Sequence, residues 1–195
     1  MFVAGWHFTN PKGGTKEGLI LALNRVTGAE LWKLVLAEPS GIGEIARRPV
    51  LAGDLLLGMT IAGSLYAVRR STGEVAWKYR SPAYLYGTLA APAVVGNIIY
   101  ATMGDEQLTA LRVDNGSVLW SVPPLGATKD LLATDRRVYV PRDGRLNIHD
   151  RETGALIATG RVKTEGGAFT TAATALGDQI FITSSEGAWS FREPK

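Results

Sequence analysis

Two histidines, eighteen acidic side chains and no cysteine are the first candidates this sequence offers for catalysis or metal binding. Without cysteine there are no disulfides, thiolate metal sites or thiol nucleophiles. His7 and His149 stand far apart, in no metal-ligand spacing. His149 takes a place that matching strings give to Leu23, Val68 and Leu111, so it reads as a buried or edge histidine. Asp54, Glu74, Asp114 and Glu152 lie in turn-forming strings, where solvation accounts for them. Calcium wants about six to eight converging oxygens, and no acidic cluster promises them. Ser71, Ser81 and Ser184 lack the strained elbow that exposes a nucleophile. Gly13-Gly14 sits in a polar loop with no helix behind it, so it is no phosphate cradle. What remains is contact chemistry. Tyr84 and Tyr86 flank Leu85 among small residues, while Lys12 and Lys16 charge another loop. Exposed tyrosines grip protein partners well; the plainer alternative is that they only cover the end of a structural unit.

Charge and hydropathy narrow the classes further. The net charge of +3 is scattered, its densest spots being Arg47-Arg48, Arg69-Arg70 and Arg136-Arg137. A nucleic-acid binder gathers cations into a stripe, so no nucleic-acid partner is expected. No apolar run approaches the roughly 18 residues of a membrane helix, so no membrane span is expected. Met1–Thr9 lacks a charged leader and a cleavage site, and reads as the inside of a strand rather than a signal peptide.

The elements that must position these residues announce themselves by repetition. TGAELWKL, TGEVAWKY, NGSVLWSV and TGALIATG place Gly28, Gly73, Gly116 and Gly154 at steps of 45, 43 and 38 residues. That period belongs to propellers or solenoids, whose units cannot bury their own faces alone. Before each glycine runs an apolar string (LILALNRVTG, LYAVRRSTG, LTALRVDNG, LNIHDRETG), and before that two short runs split by Gly-Asp, Gly-Asn or Thr-Asp. Such splits mark tight hairpins. The runs are short and rich in β-branched and aromatic residues, so the unit is four strands, A to D. Strand A resembles Ala93–Val95, B Ile98–Thr102, C Leu108–Arg112 and D Val118–Val122. Four residues past each glycine stand Trp32, Trp77, Trp120 and then Ala158. A tryptophan recurring with the fold period is a structural anchor between units rather than a ligand platform.

LYAVRRSTGEVAWKY resembles the PQQ-like (quinoprotein-type) β-propeller repeat, on its non-catalytic, BamB-like branch. The resemblance covers essentially the whole chain in four good copies and a fifth, Ala168–Arg192. It implies an all-β fold, a β-propeller of four-stranded antiparallel blades, with about four to five blades in this chain. The single domain spans 1–195, with repeats near 1–36, 46–80, 89–122, 129–160 and 168–193. Quinoprotein dehydrogenases of this family hold the quinone between a tryptophan and a cysteine-pair ring, beside calcium. With no cysteine here, catalysis and bound cofactors are not expected.

The resemblance therefore implies a protein-interaction scaffold of the cell envelope or periplasm, similar to the β-barrel assembly lipoprotein BamB or to propellers appended to sensor kinases. The alternative is a fragment of a PQQ-dependent oxidoreductase whose cofactor site lies in absent blades. In a propeller the B–C and D–A connections share a face, and here Asn10–Gly18, Ala37–Ile45, Ser81–Thr88, Pro123–Lys129 and Val162–Phe169 are its long members. Lys12, Lys16, Tyr84 and Tyr86 are the candidate partner-binding residues. Gly28, Trp32, Gly73, Trp77, Gly116, Trp120 and Gly154 are the structural anchors. The first copy begins at strand B and the fifth stops at strand C. That leaves three expectations open: a partial propeller, an unusual closure, or a homodimer through open propeller edges.

Overall fold

The computed structural model describes residues 1–9, 14–38, 43–45, 47–81, 90–103, 107–124, 129–142, 144–161, 171–184 and 187–193. All regular structure among them is β. The first sheet holds β1 (Phe2–Phe8), β2 (Lys16–Leu23) and β3 (Glu30–Leu36). The second holds β4 (Val50–Ala52), β5 (Leu55–Met59), β6 (Ser64–Arg69) and β7 (Val75–Arg80). The third holds β8 (Ala93–Val95), β9 (Ile98–Thr102), β10 (Gln107–Arg112) and β11 (Val118–Pro124). The fourth holds β12 (Leu132–Ala133), β13 (Arg137–Arg142), β14 (Arg145–Asp150) and β15 (Leu156–Arg161). The fifth holds β16 (Thr174–Leu176), β17 (Gln179–Ser184) and β18 (Gly187–Arg192). Each sheet pairs its strands in chain order, and every pairing is antiparallel. These are propeller blades.

Apolar residues are buried between blades, in four successive clusters. Ile20 and Leu36 of the first blade meet Leu56 and Val68 of the second. Leu57 and Leu65 meet Ile99 and Leu111; Tyr100 and Leu108 meet Val138 and Val140. Leu146 and Ile148 meet Ile180 and Ile182. A blade flanked on both sides must be apolar on both faces, which is why β5 and β6 are buried almost throughout.

The outermost complete strands carry the joints. Trp32 Nε1 donates to the Arg70 carbonyl at 3.0 Å, Trp77 to Val113 at 2.8 Å and Trp120 to Arg151 at 3.3 Å. Each indole thus reaches from one blade to the C–D turn of the next. The turn glycine lies directly under the ring: a Cβ on Gly116 (φ 71°) would come within 2.6 Å of Trp77. Glycine is required there twice, for the left-handed backbone and for the indole's bed. Across β2–β3, β6–β7 and β10–β11 the tryptophan faces Ala22, Ala67 or Ala110. In the fourth blade the pair is inverted, with Ala158 facing Ile148. Phe191 of the fifth blade then packs near Tyr139, ring centroids 6.4 Å apart.

The C–D turns draw on two chemistries. Asn24 Oδ1 accepts from the Val26 and Thr27 amides, and Asp150 accepts from Glu152 N, Thr153 N and the Thr153 hydroxyl. These bonds, the Thr153 amide first, hold the Asp150 carboxyl below its ordinary range.

Candidate functional site

The face carrying the B–C and D–A connections is built on the ends of β1, β3, β5 and β7 and the starts of β2 and β6. Segment 37–45, whose residues 37, 38 and 43–45 are described, is tied at both ends. Glu38 follows β3 by two residues and its side chain is fully buried. One carboxylate oxygen accepts from the Tyr66 hydroxyl at 2.8 Å and from Thr60 Oγ1 at 3.3 Å. The other accepts from Lys78 Nζ at 3.1 Å, whose ammonium also lies 4.5 Å from the Tyr66 ring centre. A buried carboxylate survives only with such partners. Burial first, then the bond to Glu38, pushes the Tyr66 phenol well above its ordinary range. At the other end Glu44 accepts from Lys16 Nζ at 2.9 Å, and Ile45 bridges to Thr60.

Next to Lys16 stands an aromatic pair. Trp6 and Phe8, on one side of β1, meet edge to face at 5.2 Å. They stay 42% and 44% exposed, large values for such side chains. Lys16 Nζ stands 4.4 Å over the Trp6 ring, so one ammonium serves an ion pair and a cation–π contact.

Of the candidate partner-binding residues, Lys16 opens β2 and is engaged as just described. Lys12, Tyr84 and Tyr86 lie outside the described residues. Trp6, Phe8 and Glu38 were not singled out by sequence. Trp6 and Phe8 read only as strand, and Glu38 sits in a segment that repeats nowhere.

His149 is buried on β14, at 2% exposure. Its Nδ1 lies 2.9 Å from the Gly154 carbonyl, a contact in which only Nδ1–H donates. That leaves Nε2 as a bare acceptor, and it has no partner among the described residues. Burial holds the imidazole pKa below its ordinary value.

The family described as outer membrane protein assembly factor BamB matches residues 16–193, nearly the whole chain. This chain belongs to the BamB family. It is 25% identical over 183 residues to the BamB protein of Escherichia coli K12, covering 89% of this chain and 45% of that one. The chain thus spans about half the length of the curated BamB relatives it matches. The crystal structure of BamB from Moraxella catarrhalis superposes with a TM-score of 0.71 at 19% identity, over 89% of this chain and 55% of that chain, a likeness of fold. A shorter stretch of 116 residues, 53% of this chain and 20% of the relative, is 29% identical to the quinoprotein alcohol dehydrogenase PedH of Pseudomonas putida. The residues of this BamB-family chain do not fit a quinone site of that kind. The sequence has no cysteine for the paired ring. Among the described residues no three of His, Asp and Glu converge to hold a cation.

Proposed function

We propose that this BamB-family propeller is a non-catalytic interaction scaffold that docks a protein or peptide partner on its B–C and D–A face. The observation that carries the reading is the exposed Trp6–Phe8 pair, held beside Lys16, whose ion pair with Glu44 ties the neighbouring D–A connection in place. Aromatic anchors on a fixed support lose little entropy on binding. The relatives' printed role in outer membrane protein assembly supports the same reading, and with it a place in the cell envelope.

Site-specific photo-crosslinking in cells that express the chain tests it. A photoreactive residue at position 6, 8 or 16 is expected to capture a discrete protein. One at Val26, on the C–D turn and 89% exposed, is expected to capture none. Equal capture from both faces, or none from either, overturns the reading. The oxidoreductase alternative rests on the shorter dehydrogenase match; a shifted quinone absorbance on adding PQQ and calcium would favour it instead.

A further inference from the structure

The fourth blade departs from the others at two adjoining places, and both point outward. The first is a missing side chain. Opposite the first buried apolar side chain of each C strand, Ile20, Leu65 and Leu108, the outer strand places Leu34, Tyr79 and Val122 in the first three blades. All three pack into the cluster between their blade and the next. In the fourth blade that position is Gly160, opposite Leu146. Among the described residues nothing replaces the lost volume. A cavity of about 270 Å³ remains, its apolar wall made by Leu146, Gly160, Ile182, Trp189 and Phe191, with Ser190 and Arg161 on it too. The Trp189 indole in its wall is held by Nε1 donating to Ser184 Oγ at 3.1 Å. A Cβ on Gly160 would meet only Leu146 atoms, at 3.8 and 3.9 Å, so the backbone has room for a larger residue.

The second departure is charge. Arg142 faces Arg145 across β13–β14, and Arg145 faces Arg161 across β14–β15. Three guanidinium groups thus stand in one row at the loop-face end of the sheet. The same row reads Met103, Gln107, Pro124 in the third blade and Thr60, Ser64, Arg80 in the second. Like charges directly opposite destabilise a sheet. Arg145 and Arg161 are exposed and make no ion pair among the described residues. Two exposed cations, Arg145 and Arg161, beside an apolar slot are complementary to one kind of ligand.

We propose that this corner of the fourth and fifth blades docks an extended acidic segment of a partner protein. One bulky apolar side chain enters the slot over Gly160, and flanking carboxylates meet Arg145 and Arg161. The proposal deepens the scaffold reading and rests on it. A peptide is favoured over a phosphate-bearing surface because the slot is sized for a single side chain, the one the other blades supply internally.

The test is fluorescence anisotropy with the 195-residue chain and a labelled decapeptide bearing one tyrosine between glutamate pairs. Its controls carry lysine for glutamate, or alanine for the tyrosine. The acidic tyrosine peptide is expected to bind about tenfold or more tightly than either control. The double variant Arg145→Glu, Arg161→Glu is expected to lose that margin. So is Gly160→Val, which keeps both arginines, fills the slot and raises the melting temperature. Binding unchanged in both variants, or a lysine peptide bound equally well, overturns the site. Arginine-dependent binding to phosphatidylglycerol vesicles without peptide binding also overturns it. If peptide binding ignores these variants while crosslinks from position 16 persist, this site falls and the scaffold reading stands. Loss of both signals overturns the two together.

Discussion

His149 sets a pH dependence whose sign follows from its burial. Its folded-state pKa is lowered, chiefly by desolvation, with the Gly154 bond working the other way. The unfolded imidazole takes a proton near its ordinary pKa of about 6.5, while the folded one resists until lower pH. Stability is therefore full above that value and falls as pH drops toward the folded pKa. Urea denaturation from pH 7.5 to 5 is expected to show this loss, and His149→Leu, which copies Leu111, is expected to flatten it. Asp150 acts in a separate window. Its depressed pKa makes its contribution present above its ordinary value of about 3.9 and lost only below. Glu38 and Lys78 give a third residue-scale expectation. Lys78→Met leaves a fully buried carboxylate without its cation. Lys78 is itself one-third exposed, so the cost is expected near the low end of broken buried pairs, about 3 kcal/mol, read from the same denaturation curves.

The elements explain what the sequence disclosed and what it kept. Strand boundaries and blade order were legible because turn glycines, hairpin splits and tryptophans recur together every 45, 43 and 38 residues. The turn glycines also make a quantitative test. Gly28 has φ 72° and nothing within 4 Å of an added Cβ, whereas Gly116 has φ 71° and an indole at 2.6 Å. Gly28→Ala is expected to cost roughly 1 kcal/mol for the backbone alone. Gly116→Ala adds the displaced ring, about 1–3 kcal/mol more. The difference between their unfolding free energies measures the indole's bed by itself. The Glu38 network, by contrast, was illegible, since it joins a non-repeating segment to Thr60 and to two strands of the next blade, β6 and β7. The arginine row needed the cross-strand register of β13, β14 and β15, which puts Arg161 on one line with Arg142 and Arg145. Ala158 was visible as a departure from the tryptophan pattern; its compensation by Ile148 and Phe191 and the vacancy over Gly160 were not.

At the scale of the molecule, burial is a series of junctions rather than one core. Val3, Leu31 and Val35 on the first blade and Leu176 and Phe181 on the fifth remain exposed. Apolar surface of that kind drives association, and light scattering on the 195-residue chain is expected to show a concentration-dependent rise above monomer mass. Hydrogen exchange is expected to be slowest in β5, β6, β9 and β10, which are buried on both faces. The tryptophan joints also have a direction, each blade reaching only toward its successor. A nascent chain leaving the ribosome cannot seat Trp32 until Arg70 and Gly73 have emerged, nor Trp77 until Val113 and Gly116 have. Folding during synthesis therefore runs one blade behind translation, and the blade in waiting is where a chaperone would find its grip.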